Sequence, residues 1–240
     1  MTARWRNGEG PSPRLYARIA GALYLITIVL GAAEELLIRG RIFVPKDAVA
    51  TAANLRSMEF LWRVALLSVG LSWIAIGILA YALYVVLEPV NKRLAQLALV
   101  LRLGASFVGA ASLMFRVAQA RLYSASATEG LFTTEQLRML AAVIQQGANA
   151  GITTSWMFMG AGYLLFFVLF LRSRYLPRAL AGFGIFTSAL LVALAAATFV
   201  FPERANELKL FAVPALLVEV ATALWLLFKG LPRATEEARA

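Results

Sequence analysis

Cysteine and histidine are both absent from this chain of 240 residues. Without cysteine the chain forms no disulfide and has no thiolate chemistry. Without histidine it has no imidazole base for a Ser-His-Asp arrangement, and no histidine ligand for zinc, di-iron or haem. Acidic residues are also few, 13 against 23 basic ones, and they are too scattered for an Asp-rich metal site. We therefore predict no cofactor and no metal.

Apolar residues, by contrast, make up 61% of the chain, and the mean hydropathy is +0.75. Soluble domains are about 45–50% apolar, so the excess indicates side chains that face lipid as well as a core. The net charge of +10 would suggest nucleic acid in a soluble protein. Here most basic residues flank apolar runs, which favours membrane topology and anionic lipid instead. We predict a membrane protein without a nucleic-acid partner.

Six apolar runs predict an all-α fold, a bundle of six transmembrane helices, because about 20 apolar residues cross a bilayer. The predicted spans are about 15–37, 60–87, 93–122, 149–171, 179–201 and 208–228. Short surface helices are predicted near 46–56 and 134–146, within a single domain over 15–229, and flexible tails over 1–14 and 230–240. The first run also resembles a secretory signal cleaved near Ala33, but its length and the acidic residues after it favour a membrane span.

An even number of spans places both termini on the same side of the membrane. In this arrangement twelve basic residues lie on the side of the termini and eight on the other. The short turns at 88–93 and 172–178, which lie on the side of the termini, are strongly basic. Because short cytoplasmic loops carry an excess of Lys and Arg, we predict that both termini are cytoplasmic.

The third span carries two arginines within its apolar run. Arg102, Ser106, Gly109, Leu113 and Arg116 follow steps of four and three, so they form one stripe of a helix. A charged side chain in hydrocarbon costs at least ~2.5–3.5 kcal/mol on insertion scales. We therefore expect this stripe to face protein, water or opposite charge rather than lipid.

Depth in the membrane suggests a partner for the first arginine. Arg102 lies about 15 Å from Lys92 by helical rise, and Glu219 lies about 15 Å from Lys229. We therefore predict that Arg102 and Glu219 meet near the middle of the bilayer. Charges at this depth mark a substrate or ion path in some proteins, and fix helix register in others.

A second charged group is predicted near the outer membrane boundary. Glu34 and Glu35 end the first span, Arg63 begins the second, and Arg116 lies near the end of the third. We predict that these four residues form a carboxylate–arginine cluster, which is either structural or part of a binding vestibule.

Aromatic residues on the predicted helices have two interpretations. They either line a cavity for an apolar ligand or fill the core and anchor the helices at the interface. The residues are Tyr24, Tyr81, Tyr84, Trp73, Trp156 and Tyr163; we take Tyr24 and Tyr81 as candidate binding residues.

Several blocks of the sequence resemble a bacterial family of integral membrane proteins catalogued only as a domain of unknown function. The blocks are ARIAGALYL at 17–25, ELLIR at 35–39, VPKDAVATAAN at 44–54, YVVLEPVNKRLA at 84–95, YLPRAL at 175–180 and EVATALWL at 219–226. The chain departs from the pattern at Glu34, where an apolar residue is expected, and at Gly104-Ala105, where a carboxylate is common. The resemblance implies a multi-pass bacterial membrane protein and implies no activity. We predict that the protein lies in the bacterial cytoplasmic (inner) membrane.

These observations favour a non-enzymatic protein that binds or moves a lipophilic or amphiphilic molecule through an intramembrane cavity. Arg102 and Arg116 would hold an anionic group, and Glu34, Glu35 and Glu219 would balance charge or exchange protons. One alternative is a membrane enzyme acting on a lipid-like substrate, with Glu35 or Glu219 as the acid or base. Another is a structural or regulatory subunit of a membrane complex. Six spans are few for a carrier, which suggests a homodimer.

Overall fold

The computed structural model of the chain describes residues 12–44, 47–123 and 132–231. Within these residues the secondary structure is helical, with no strand. Most of the predicted tails, and the loop predicted around 124–130, lie outside the described residues.

Eight helices follow one another in the described residues. They are α1 Pro13–Ile42, α2 Ala48–Ser57, α3 Glu59–Leu87, α4 Lys92–Tyr123, α5 Thr134–Ser173, α6 Arg178–Val200, α7 Ala205–Leu210 and α8 Val213–Leu224. A 3₁₀ turn at Pro202–Arg204 precedes α7, and a π-helical turn at Trp225–Lys229 continues α8. Among the described residues, five helices are long and apolar enough to cross a membrane: α1, α3, α4, α5 and α6.

Helix α5 joins two elements that the sequence predicts as separate, the surface helix near 134–146 and the span at 149–171. It begins with a capping box between Thr133 and Gln136 and continues for 40 residues. Two glycines inside it mark close packing on α4 rather than a break. A Cβ at Gly147 would lie 2.6 Å from the Phe115 ring, and one at Gly151 would lie 2.8 Å from Ser112 Cβ.

The predicted span at 208–228 is divided in the structure. Helix α7 ends at Leu210, and α8 begins at Val213 after a turn. Pro214 stands in the first turn of α8, where its missing N–H has no intrahelical partner to lose. The proline that the sequence suggests as a kink therefore lies at the start of a new helix.

The long helices pack mainly on their neighbours in the chain, α1 on α3, α3 on α4, α4 on α5 and α5 on α6, and α8 packs on both α1 and α6. We call the end of the bundle that holds the start of α1, the α5–α6 turn and the end of α8 the basic end. The opposite end is the far end. The main core of buried leucine, phenylalanine and alanine side chains includes Phe166, Phe170, Leu83 and Leu176. A smaller core around Ile42, Trp62 and Tyr123 lies at the far end.

Candidate functional site

The polar stripe of α4 faces the interior of the bundle. Arg102 is 1% exposed and Ser106 is 6% exposed, whereas Phe107 and Met114 on the other side are about 70% exposed. The Ser106 hydroxyl donates a hydrogen bond to the backbone carbonyl of Trp73 on α3. The stripe therefore faces protein, as the cost of a charge in lipid requires.

Arg102 is held by Tyr163 of α5 in two ways. Its Nη2 donates a hydrogen bond of 3.0 Å to the Tyr163 hydroxyl, and its guanidinium carbon lies 3.9 Å from the centre of the Tyr163 ring. Gly162 makes room for the arginine, because a Cβ there would lie 2.7 Å from Arg102 Cγ. The sequence therefore positions the deepest arginine with one glycine and one aromatic ring.

Two further residues complete this group, which we call the core cluster: Arg102, Tyr163, Tyr24 and Glu219. The Tyr24 ring stacks on Tyr163 at 5.9 Å between ring centres. Glu219 of α8 lies close enough to Arg102 and Tyr163 to interact with both electrostatically. The structure thus brings Arg102 and Glu219 into one group, but Tyr163 mediates between them. Within the described residues, no ion pair within 4.0 Å joins Arg102 to a carboxylate, and its Nε and Nη1 have no hydrogen-bond partner.

The second arginine of the stripe has a direct partner. Arg116 Nη1 lies 2.7 Å from Glu34 Oε1, and the two side chains are 14% and 6% exposed. Glu34 opens a π-helical turn, Glu34–Arg39, near the end of α1. Such turns occur frequently at functional sites because one extra residue changes the direction of the side chains that follow.

A cavity of about 310 Å³, which we call the far cavity, adjoins this ion pair. It lies between α1, α4 and α5 and is lined by Glu35, Arg39, Arg116, Gln145, Ala148, Asn149, Ile152, Thr153 and Trp156. Glu35 and Arg39 form an ion pair of 3.4 Å, and the Gln145 amide donates to Asn149 Oδ1 at 3.0 Å. The far cavity therefore combines charged, amide and apolar groups in one wall.

Two of the residues predicted for the site lie elsewhere. Arg63 pairs with Glu59 on the surface of α3 and is 72% exposed, so its predicted place in the carboxylate–arginine cluster is wrong. Glu59 lies one turn before it on the same helix face and takes the position of partner. Tyr81 is 49% exposed and contacts the Tyr16 and Tyr84 rings, away from Tyr24.

The core cluster and the far cavity also contain residues that are not among the binding residues predicted from the sequence, including Tyr163, Arg39 and Gln145. In the sequence, Tyr163 is one of several aromatic residues on the predicted helices, and Arg39 is the last residue of the block at 35–39. Gln145 joins Asn149 and Thr153 at steps of four on one face of α5. That spacing is a signal in the sequence, but it becomes visible only once 134–146 and 149–171 are treated as one helix.

The helical fold and the five long apolar helices indicate a membrane protein with several spans. More specifically, the chain belongs to the family described as "Domain of unknown function (DUF4386)", whose sequence model matches residues 19–230. This confirms the resemblance carried by the sequence blocks. No curated protein and no solved structure matches the chain.

Proposed function

We propose that the protein is a six-helix bundle of the bacterial cytoplasmic membrane that binds or moves an amphiphilic molecule through the far cavity. The proposed sixth helix is 213–229, which is about 26 Å long by helical rise, close to the ~30 Å of hydrocarbon that a span must cross. It packs on α1 and α6, and its outward residues Leu217 and Phe228 are 62% and 74% exposed. Such side chains suit contact with lipid.

The orientation that we propose places the basic end in the cytoplasm. The α3–α4 and α5–α6 turns are short and carry Lys92, Arg93, Arg174 and Arg178. Short loops are where the excess of positive charge on the cytoplasmic side is most reliable. The far cavity then opens near the opposite boundary of the membrane.

The position of the far cavity suits a molecule with a polar head and an apolar body. Arg116 lies about 36 Å from Lys92 by helical rise, which is slightly more than the thickness of the hydrocarbon layer. At this depth, acyl chains and water meet. The cavity accordingly has polar groups, Gln145 and Asn149, beside the apolar side chains of Ile152 and Trp156.

The observation that carries the proposal is the partly exposed Arg116 in the cavity wall, held in place by the buried Glu34. Arg39 and Arg116 present two guanidinium groups at the cavity, and Glu35 and Glu34 balance their charge. An anionic head group would therefore be bound by hydrogen bonds from the guanidinium groups and not by a net charge. A volume of 310 Å³ is at the lower limit of ligand pockets, which are about 300–1,000 Å³. We therefore propose that a compact anionic head group enters the cavity while the apolar tail stays against the lipid-facing surface.

Mass spectrometry of molecules that copurify with the protein in a mild neutral detergent tests this function. Asn149→Trp fills the far cavity, whereas Gln146→Trp places the same ring on an exposed position of α5 outside the cavity lining. We expect the wild-type protein and Gln146→Trp to retain an anionic amphiphile, and Asn149→Trp to lose it with its melting temperature unchanged.

Equal retention by Asn149→Trp and Gln146→Trp would contradict binding in the far cavity. If no amphiphile is retained by the wild-type protein, and none of a fatty acid, an alkyl phosphate or an alkyl glycoside raises its melting temperature, the structural alternative replaces this function. Conversion of a retained lipid into a product of different mass would favour the membrane enzyme.

A further inference from the structure

A second and larger cavity lies at the basic end, and we call it the basic cavity. Its volume is about 760 Å³. It is lined by Arg14, Arg18, Arg174, Tyr175, Leu176, Pro177, Arg178, Trp225, Lys229, Gly230 and Leu231. Five cationic side chains therefore converge on it from three parts of the chain, and none of the described lining residues is acidic.

Contacts between α8 and the α5–α6 turn fix the floor of this cavity. The Trp225 indole N–H donates a hydrogen bond of 3.1 Å to the backbone carbonyl of Tyr175. Lys229 Nζ lies 4.6 Å from the centre of the Trp225 ring. Both residues belong to the π-helical turn Trp225–Lys229 at the end of α8. The cavity is therefore formed by packed residues of the fold and does not depend on exposed side chains alone.

The backbone at Arg174 is unusual. It ends α5 in the left-handed region, with φ of 59°, and within the described residues no other non-glycine residue has a positive φ. Glycine is the favoured residue at such a helix end, because a side chain there adds steric cost. An arginine at this position adds a charge to the cavity at the expense of backbone strain.

The start of α6 increases the positive potential further. Helix N-termini carry a partial positive charge, which acidic residues in the first turn usually offset. The first turn of α6 contains no acidic residue and begins with Arg178. An anion in the basic cavity would therefore relieve repulsion from the side chains and from the helix end together.

We infer that the basic cavity binds a phosphate group, with the head group of an anionic lipid as the favoured source. Exposed apolar side chains beside the cavity suit contact with acyl chains. Leu15 at the start of α1 is 48% exposed, and Phe228 at the end of α8 is 74% exposed. Basic pockets between membrane helices on the cytoplasmic side are typical sites for anionic lipid head groups. This site is separate from the far cavity; the inference shares the orientation proposed above but does not rest on ligand binding in the far cavity.

Native mass spectrometry of the purified chain in dodecyl maltoside tests the site by titration with phosphatidylglycerol, with phosphatidylcholine as the comparison lipid. In a parallel arm, thermal unfolding is followed with inorganic phosphate and pyrophosphate at constant ionic strength. The cavity variant is Arg174→Gly with Lys229→Gln. The matched control is Lys92→Gln with Arg93→Gln, which removes the same charge from the other basic turn.

Arg174→Gly relieves the positive φ, so we expect the cavity variant to fold at least as well as the control. Phosphatidylglycerol should bind the cavity variant about tenfold or more weakly than the wild type, because each lost cation weakens contact with anionic lipid. The control should retain most of its affinity. This result identifies a lipid as the source of the phosphate group.

If phosphate or pyrophosphate instead raises the melting temperature of the wild type and control but not of the cavity variant, and phosphatidylglycerol shows no such selectivity, the site is supported with a soluble phosphate as its ligand. If the cavity variant and the control lose affinity equally, or if neither ligand depends on the cavity residues, the inference is overturned.

Discussion

Arg102 and Arg116 lie on the same stripe of one helix, but their surroundings are opposite in kind. Arg102 is 1% exposed and contacts both the hydroxyl and the ring of Tyr163. The carboxylate of Glu219 acts on it only at longer range. Arg116 pairs directly with Glu34 at 2.7 Å and lines the far cavity.

The difference lies in the space beside each arginine, and we propose that this space separates a structural charge from a binding one. The core cluster is packed by Gly162 and aromatic rings, so we propose that it fixes the register of α4, α5 and α8. Arg116 lines open volume beside its pair with Glu34, so we propose that its guanidinium group is available to a ligand. Substitutions in each group, compared with matched controls, separate these two roles.

Glu219→Gln should have the largest effect, because it leaves Arg102 buried without an opposite charge in the core cluster. Leaving a buried charge uncompensated costs about 3–5 kcal/mol, and we expect a loss near the lower figure because Glu219 forms no direct ion pair with Arg102. Thermal unfolding in detergent measures it. Glu88→Gln is the control, since Glu88 pairs at 3.4 Å with the exposed Lys92 across the short α3–α4 turn and should change little. Equal melting temperatures for the two variants would contradict a core role for Glu219.

Arg116→Gln should destabilise the protein by about 2–3 kcal/mol, because it leaves the buried Glu34 carboxylate unpaired. Combining it with Glu34→Gln should recover much of this loss, which a double-mutant cycle measures. Arg63→Gln is the matched control, since this arginine is exposed and should change stability by less than about 0.5 kcal/mol. Additive losses for Arg116 and Glu34 would argue against the pair.

Gly162→Ala should destabilise by about 1–2 kcal/mol, because the new Cβ would press on Arg102 Cγ at 2.7 Å. Gly182→Ala is the matched control on α6, where a Cβ meets nothing within 4 Å, and it should be neutral or slightly stabilising. Comparison of the two melting temperatures checks the packing of the core cluster. A neutral Gly162→Ala would mean that Arg102 has room to move.

Much of the fold follows from the sequence, because apolar runs and basic turns set helix ends directly. The predicted spans at 60–87, 93–122 and 179–201 differ from α3, α4 and α6 by one residue at most at either end. The sequence does not show that α5 continues through Gly147 and Gly151. A glycine that admits a neighbouring helix and a glycine that ends a helix look the same until the neighbour is known.

The sequence predicts how deep the site residues lie in the membrane, but not which face of each helix packs against its neighbour. Helical rise places Arg102 and Glu219 at the same level, and Glu34 and Arg116 at another. Helical rise does not say which face of α3 packs against α1. The sequence therefore places Arg63 with Glu34 and Glu35, whereas in the structure Arg39 lies near these carboxylates and Arg63 pairs with Glu59. The π-helical turn Glu34–Arg39 is likewise set by packing, and its extra residue changes which side chains face the cavity.

The most direct test of the account compares Tyr163→Phe with Asn149→Trp, measuring both melting temperature and the copurifying amphiphile on the same samples. Tyr163→Phe removes a hydrogen bond to a buried charge, so it should lower stability by about 1.5–3 kcal/mol and keep the amphiphile. Asn149→Trp should keep its stability and lose the amphiphile. If Tyr163→Phe loses the amphiphile at full stability while Asn149→Trp retains it, the core cluster is the binding site. A structural core cluster and a ligand-binding far cavity would then both be contradicted.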